Sequence, residues 1–327
     1  MLHLPDRDGT LGRTGSSPRV RRAVRRFAPR AALQLALSGL LLVFLWHLSG
    51  DRVLERLEGA DLGWVMAGLG CATVALFAAA LRWRFTARLI GAELDYGRAV
   101  REFYLATFLN SILPGGVVGD AIRAYRHGKR MPDEPGSMGR AVRTVVIERL
   151  ANQTVVCLCM LVSLSMWPWL PGAFESAHIW GPPVAAAALI GSILLTIAIF
   201  ARRRGGGVVE RFLRDVRQAL LTPHTFIAQL GLGLAVTGTC VVMFYCAARA
   251  VHEPLSVFHL IALVPGALLA MSIPISVGGW GLREASAVTL WTMAGLSPGA
   301  ALASSILYGI LSLLGALPGA VFLAADR

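Results

Sequence analysis

Apolar residues along this chain come in long blocks that are separated by short polar stretches. The block from Leu62 to Leu81 contains no charged side chain, and neither does the block from Pro182 to Ala201. Between residues 254 and 325 the only charged residues are the neighbours Arg283 and Glu284. A helix needs about 20 apolar residues to cross the hydrocarbon core of a bilayer. The pattern therefore predicts an all-α polytopic membrane protein.

The lengths of the blocks predict six full spans and two broken hairpins, about eight membrane elements. The six longer blocks cover residues 31–48, 62–81, 141–167, 182–200, 222–248 and 300–323. The two others are short and are interrupted by proline and glycine, around Pro114–Gly116 and around Pro274–Gly281. Irregular backbone at membrane depth is tolerated only when it is buried in protein or lines a cavity. We therefore predict that both broken segments are re-entrant hairpins.

Charge sets the predicted orientation. The net charge is +12, yet only 15% of residues are charged, against roughly a quarter in a soluble domain. If both termini are cytoplasmic, 26 of the 31 basic residues fall on the inner side, as the positive-inside rule requires. We expect a disordered basic cytoplasmic tail over residues 1–30 and one integral membrane domain over 31–327. This distribution indicates a bacterial inner membrane protein and argues against a nucleic-acid partner.

The sequence contains no recognisable catalytic or metal-binding motif. The five cysteines all lie inside apolar blocks, so we interpret them as small core residues rather than as a disulfide or metal framework. No segment fits the nucleotide-binding P-loop pattern. We therefore expect no metal, no cofactor and no catalytic residue.

The two glycine-rich breaks resemble each other. Ser111–Gly116 is followed by Gly119 and Asp120, and Ser272–Pro274 is followed by a similar glycine-rich stretch and Glu284. Their first glycines, Gly115 and Gly278, are 163 residues apart. This echo predicts an inverted repeat, with repeat A over about 31–167 and repeat B over about 182–323, an arrangement typical of transporters. Chance similarity is the alternative, because proline and glycine are common in membrane helices.

Three motifs in order carry a family resemblance. They are the stretch Phe108–Arg123, the tripeptide Glu148-Arg149-Leu150 and the stretch Gly278–Glu284. Over roughly residues 30–325 this pattern resembles the flippase-like membrane region of lysylphosphatidylglycerol synthases and of related stand-alone membrane proteins. The synthases carry a cytosolic aminoacyl-transferase domain after that region, whereas this sequence ends at Arg327. We therefore do not expect it to aminoacylate a lipid.

For stand-alone members the resemblance implies translocation of a lipid, or support of glycolipid, polyprenyl-lipid or hopanoid assembly. Our first hypothesis is a flippase-like transporter for a polar or anionic lipid, such as an anionic phospholipid or a polyprenyl-type lipid. The second is a membrane-embedded enzyme in which Asp120, Glu148 or Glu284 acts as acid or base. The third is a non-catalytic subunit whose partner is a lipid-modifying enzyme.

Ionisable residues inside the membrane are the candidate functional groups, because each costs about 2.5–3.5 kcal/mol to insert. Asp120 and Arg123 share a helix face, and Arg123 is predicted to grip a lipid phosphate unless it is only an interfacial positive charge. Glu148 and Arg149 are predicted to pair with them, for gating or for structure. The full set of predicted substrate-binding residues is Asn110, Pro114, Gly115, Gly116, Gly119, Asp120, Arg123, Glu148, Arg149, Gly278, Gly279, Gly281, Arg283 and Glu284.

Overall fold

The computed structural model describes residues 32–36, 38–44, 47, 53–114, 116–131, 136–170, 206–273 and 276–325. Every regular element within those ranges is helical. In chain order the labelled helices are α1 (Leu62–Leu89), α2 (Tyr96–Ile112), α3 (Val118–Arg130), α4 (Ser137–Met166), α5 (Gly206–Val216), α6 (Pro223–Ala250), α7 (Val257–Met271), α8 (Leu282–Met293), α9 (Pro298–Ala316) and α10 (Pro318–Ala325).

Four helical stretches are long and apolar enough to cross a membrane. They are α1, Ser137–Trp169 (α4 with the short 3₁₀ turn after it), α6, and Pro298–Ala324 (α9 with α10). A shorter apolar helix, Ala32–Phe44, lies near the N-terminus. The prediction of an all-helical polytopic membrane protein is therefore confirmed. The span predicted at 182–200 and the tail at 1–30 lie outside the described residues.

Both predicted breaks separate a pair of short helices. Residues 113–117 lie between α2 and α3, and residues 272–281 lie between α7 and α8. Gly116 has a φ of 59°, and Gly278, Gly279 and Gly281 have φ values of 56°, 83° and 88°. Residues with a Cβ rarely adopt this left-handed backbone conformation, so glycine is needed where the backbone reverses. Gly115 lies outside the described residues.

The helices pack in matching pairs. Helix α1 lies against α6, and a backbone hydrogen bond of 2.9 Å from Asp61 N to Ala250 O joins the start of α1 to the end of α6. In the first half α2 packs on α3 and α3 on α4, while in the second half α7 packs on α8 and α8 on α9. Across the halves, α4 packs on α7, and α9 and α10 pack on α2. The hairpin of each half is therefore enclosed by helices of both halves.

Glycine allows the first hairpin to close. A Cβ on Gly119, at the start of α3, would overlap the backbone carbonyl of Ala106 on α2. Backbone cannot move aside as a flexible side chain can, so α2 and α3 approach this closely only because Gly119 lacks a side chain. Gly319, in α10, lies in the same way against the carbonyl of Tyr104.

We predict that Gly119→Ala lowers the stability of the purified protein. The added methyl group forces α2 and α3 apart, and overpacking of this kind costs about 1–3 kcal/mol. Gly231→Ala is the matched control, because a Cβ there meets nothing within 4 Å and alanine favours the helix by up to about 1 kcal/mol. The measurement is the thermal midpoint in detergent, followed by size-exclusion chromatography. Equal midpoints for the two variants would show that the close contact contributes nothing.

Candidate functional site

Asn110 connects the two helices of the first hairpin. Helix α3 begins after Val117, which provides no side-chain cap. The amide of Asn110, on α2, takes that role, because its Oδ1 accepts a hydrogen bond from Gly119 N at 2.8 Å. Its Nδ2 donates to Asp120 Oδ2 at 3.1 Å. Asn110 therefore satisfies an otherwise unpaired helix N–H group and orients Asp120 at the same time.

Charged residues from α3 and α4 form the centre of the site. Arg123 Nε donates to Asp120 Oδ1 at 2.8 Å, and Arg123 Nη2 donates to Glu148 Oε2 at 2.7 Å. Arg149 Nη2 forms an ion pair with Asp120 Oδ2. Both pairings between α3 and α4 match the sequence prediction. The two carboxylates thus hold α3 against α4 through charge-assisted hydrogen bonds.

Arg82 is a fifth charged member that the sequence analysis missed. Its Nη2 pairs with Glu148 Oε1, and its Nη1 donates to Asn152 Oδ1 at 2.8 Å. The predicted span ended at Leu81, which made Arg82 an interfacial positive charge, but α1 continues to Leu89. The signal for this was the spacing of Leu76, Ala79, Ala80, Trp83 and Ala87, all of which are buried at intervals of one face of a helix.

Two aromatic rings hold the Arg123 guanidinium. Its centre lies 4.7 Å from the ring of Trp83 on α1 and 4.5 Å from the ring of Phe103 on α2. Cations are attracted to aromatic faces at such distances, and more strongly where water is excluded. Arg123 is 1% exposed, so in this conformation it is a buried centre of the network. The prediction that Arg123 grips a phosphate directly would require its present contacts to open.

Exposure differs sharply among the five charged side chains, which we call the first ionic cluster (Arg82, Asp120, Arg123, Glu148 and Arg149). The first four are between 1% and 10% exposed, whereas the side chain of Arg149 is 46% exposed. Arg149 therefore is the part of the cluster that a molecule outside the protein meets first.

The second ionic cluster (Arg283, Glu284 and Ser305) joins the first turn of α8, directly after the second break, to α9. Glu284 Oε2 accepts a hydrogen bond of 2.7 Å from Gly281 N, which caps α8, and Glu284 Oε1 pairs with Arg283. Ser305 Oγ, on α9, donates to Glu284 at 3.1 Å. The Arg283 guanidinium also lies 4.8 Å from the ring of Trp280. Arg283 and Glu284 are at most 1% exposed, so this cluster is neutral and enclosed.

The two breaks touch each other. A Cβ on Gly278 would lie 2.8 Å from the backbone oxygen of Ser111, which belongs to the end of α2. The turn at Val277 also receives the N-terminal apolar helix, since Val277 N donates to Ser38 Oγ at 3.1 Å. The tips of the two hairpins therefore meet within the membrane domain.

The remaining glycine and proline residues of the predicted site lie in or beside the two breaks, where two of the glycines contact neighbouring segments of the protein. Gly279 lies against Met271, and Gly281 lies against Ser38 and Leu41. Pro114 and Gly116 are part of the first break and are partly buried. Within the described ranges, no three His, Cys, Asp or Glu side chains are grouped as a metal ion would require. The site is therefore a network of arginines and carboxylates.

A further buried carboxylate lies in the first hairpin, at the end opposite to its glycine break. Glu102, on α2, is 2% exposed and pairs with Arg126 at 2.7 Å and with Arg130 at 2.8 Å. The sequence analysis did not identify Glu102, because it lies among the basic residues that were assigned to the cytoplasmic surface. These pairs join α2 to the last turns of α3, farther from the glycine break than the first ionic cluster.

The sequence of this chain is similar to those of known membrane proteins. Residues 31–319 match the family model described as the lysylphosphatidylglycerol synthase TM region. The chain belongs to this family. A UPF0104 membrane protein of Methanothermobacter thermautotrophicus is 23% identical over 291 residues, which is 80% of this chain and 83% of the relative. A UPF0104 membrane protein of Pyrococcus horikoshii is 20% identical over 125 residues, or 38% and 37% of the two chains. The resemblance inferred from the motifs is therefore confirmed.

We predict that Glu148→Gln strongly destabilises this family member. The substitution removes the negative charge that two buried arginines share, and breaking a buried ion pair from one side costs about 3–5 kcal/mol. Glu210→Gln is the control, because Glu210 is 74% exposed and pairs with Arg214 at 3.4 Å on the surface, where a pair is worth at most about 1 kcal/mol. Thermal unfolding in detergent measures both.

The double variant Arg82→Gln with Glu148→Gln separates charge from packing. Since it restores the net charge of the cluster, we expect it to be less destabilised than the sum of the two single variants, as coupled neighbours are. Additive losses would contradict a shared-charge role for Glu148.

Proposed function

We propose that the protein is a flippase-like transporter of a bacterial inner membrane, which moves or presents an anionic lipid between leaflets, with both termini cytoplasmic. The observation that carries the proposal is the first ionic cluster. Three arginines and two carboxylates are joined there in one network, so one positive charge remains uncompensated. An excess charge inside a membrane domain is costly, and a bound anion removes that cost.

The position of Arg149 supports a polar headgroup site inside the membrane. Arg149 lies 12 residues after the start of α4, about 18 Å along the helix. The candidate span that contains α4 is a helical stretch of 33 residues, or about 50 Å, so a hydrocarbon core of about 30 Å centred on that stretch includes Arg149. A 46% exposed arginine at that depth needs a polar environment.

Neighbouring side chains on α4 extend the polar surface around Arg149. Asn152 and Gln153 follow it by three and four residues and are partly exposed, so the three share one face of the helix. The exposed apolar residue Leu158 comes nine residues after Arg149, which places it on the opposite face. The polar residues around Arg149 thus lie on a different face of α4 from the exposed apolar residue Leu158.

The chemistry of the exposed cation favours a phosphate. Within the described part of the chain, Arg149 uses only Nη2, which pairs with Asp120. Its other N–H groups can donate to two oxygens of a phosphate, a geometry that guanidinium groups match. An anionic phospholipid or a polyprenyl-type lipid phosphate provides such a group.

The packing of the two halves supports an inverted repeat. Exchange of α1 with α6, α2 with α7, α3 with α8, and α4 with the α9–α10 stretch turns each packed pair among these helices into another packed pair. This correspondence is expected when two halves are related by a pseudo-two-fold axis through the contact of α1 with α6. Transporters of this design place the substrate between the repeats, near the broken helices.

Lipid movement is the direct test. The protein is reconstituted in liposomes with fluorescent phosphatidylglycerol, phosphatidylcholine or a polyprenyl phosphate, and the accessible headgroup fraction is followed after a membrane-impermeant quencher is added. We expect faster movement of an anionic lipid than in empty liposomes. Arg149→Gln is expected to slow it by about tenfold, as loss of one charge-assisted hydrogen bond predicts.

Arg214→Gln is the matched control, because Arg214 is also a surface arginine with an acidic partner but lies on α5 and is 69% exposed. The rate of lipid movement by the Arg214→Gln variant is expected to equal the rate by the intact protein. Rates for every lipid equal to those of empty liposomes would refute the transporter and favour an enzyme or a supporting subunit. Product analysis by mass spectrometry in the same liposomes then identifies any lipid modification.

The inverted repeat makes a separate topological prediction. Single cysteines at Gly139 and Pro298, both exposed at the starts of α4 and α9, are placed in a variant whose five native cysteines are alanines. An impermeant maleimide applied to intact cells is expected to label the Pro298→Cys variant and to label Gly139→Cys only after permeabilisation. Labelling of both from the same side would rule out the opposite orientation of the halves.

A further inference from the structure

A polar cavity of about 290 Å³ lies where α1 begins and α6 ends. Its walls are Asp61, Trp64, Arg249, His252, Glu253 and Pro254. Because α1 and α6 are both apolar helices of 28 residues, their joined ends lie at one membrane surface. The cavity is therefore at headgroup level, apart from both ionic clusters.

The frame of the cavity is fixed by hydrogen bonds between the two chain segments. Asp61 N donates to Ala250 O at 2.9 Å, and the His252 Nε2 atom lies 3.0 Å from Gly59 O. Arg56 Nη1 donates to Val251 O at 3.1 Å and lies 3.6 Å from Glu253. These contacts hold the loop after α6 against the segment before α1, so the charged groups around the cavity have fixed positions.

The charges that line the cavity do not neutralise each other. Arg249 lies with its guanidinium 5.3 Å from the ring of Trp64. Within the described chain no carboxylate lies at ion-pair distance from Arg249, although Asp61 and Glu253 line the same cavity. Asp61 uses Oδ1 to cap α1 through Gly63 N and Trp64 N, and its Oδ2 forms no hydrogen bond to a described residue. Arg249 and the free Oδ2 of Asp61 thus line one open space, together with Glu253, which also pairs with Arg56.

We propose that this cavity binds the zwitterionic headgroup of a phospholipid with a primary ammonium group, as in phosphatidylethanolamine. Arg249 donates to the phosphate, and Asp61 Oδ2, with Glu253, accepts hydrogen bonds from the ammonium. The volume corresponds to that of about ten water molecules and lies at the low end of ligand pockets. It therefore fits a headgroup, while the acyl chains remain in the bilayer.

The same geometry ranks other headgroups lower. A quaternary ammonium has no N–H group to donate to the carboxylates, and the Trp64 ring that would attract it is already covered by Arg249. An anionic headgroup satisfies Arg249 but leaves the Asp61 carboxylate, which has no cationic partner among the described residues, beside its negative charge. We expect the order phosphatidylethanolamine, then phosphatidylcholine, then phosphatidylglycerol for this cavity. The proposal does not depend on lipid translocation.

The test is lipid binding to the purified, delipidated full chain, measured by native mass spectrometry over a titration of each of the three lipids. We expect Arg249→Gln and Asp61→Asn each to weaken binding of phosphatidylethanolamine by about tenfold. Asparagine is as good a helix cap as aspartate, so Asp61→Asn preserves α1 while it removes the charge. Arg214→Gln, on the surface of α5, is the control for loss of an arginine and is expected to bind as the intact protein does.

Soluble phosphoethanolamine distinguishes the source of the headgroup. If it competes with the lipid at equal concentration, the cavity recognises the zwitterion alone, and the chemistry proposed stands with a free ligand. If only the lipid binds, the membrane is the source. Unchanged binding of phosphatidylethanolamine by both variants, or an equal loss of binding of all three lipids in both variants, overturns the proposal. A size-exclusion profile equal to that of the intact protein verifies that each variant is folded.

Discussion

The membrane domain depends on the ion pairs that the Glu148 carboxylate forms with two buried arginines. The carboxylate is 2% exposed and accepts hydrogen bonds from Arg82 on α1 and from Arg123 on α3. Two buried arginines are costly unless their charges are compensated, and Glu148, on a third helix, provides one negative charge that both share. Asp120 extends the network to Arg149 and, through Asn110, to α2. Four helices are thus held in place by two negative charges.

The broken helices create a second constraint, since each new helix start exposes N–H groups that need acceptors. The two halves meet this need differently. In the first half the amide of Asn110, on a neighbouring helix, accepts from Gly119 N. In the second half Glu284, in the first turn of α8 itself, accepts from Gly281 N. The first arrangement leaves Asp120 available for arginines of α3 and α4. In the second, Glu284 uses Oε2 to cap its own helix and Oε1 to bind Arg283 and Ser305.

Sequence reasoning was sufficient where the physical signal is local. The cost of placing charge in a membrane selected Asp120, Arg123, Glu148 and Arg149 as candidates, because it applies whatever the fold. That they bind a substrate stays a prediction. Sequence reasoning failed for Arg82, because the end of an apolar block is not the end of a helix, and the side chain that decides the matter, Glu148, is 66 residues away. The difference in exposure between Arg123 and Arg149 could not be predicted from the sequence either, since it depends on which helices cover each face of α3 and of α4.

The unequal charge of the two clusters limits how a lipid could move. Arg123 and Arg283 are both among the substrate-binding residues predicted from the sequence, but both are 1% exposed here. Arg283 is already neutralised by Glu284 and covered by Trp280 and Tyr308, so the second cluster offers no net charge to an anion. Under the proposed transport mechanism, a lipid headgroup is therefore attracted to one binding site, at Arg149. The headgroup is not transferred from one arginine to another. Instead, motion of the two halves about the α1–α6 contact has to open this site first to one leaflet and then to the other.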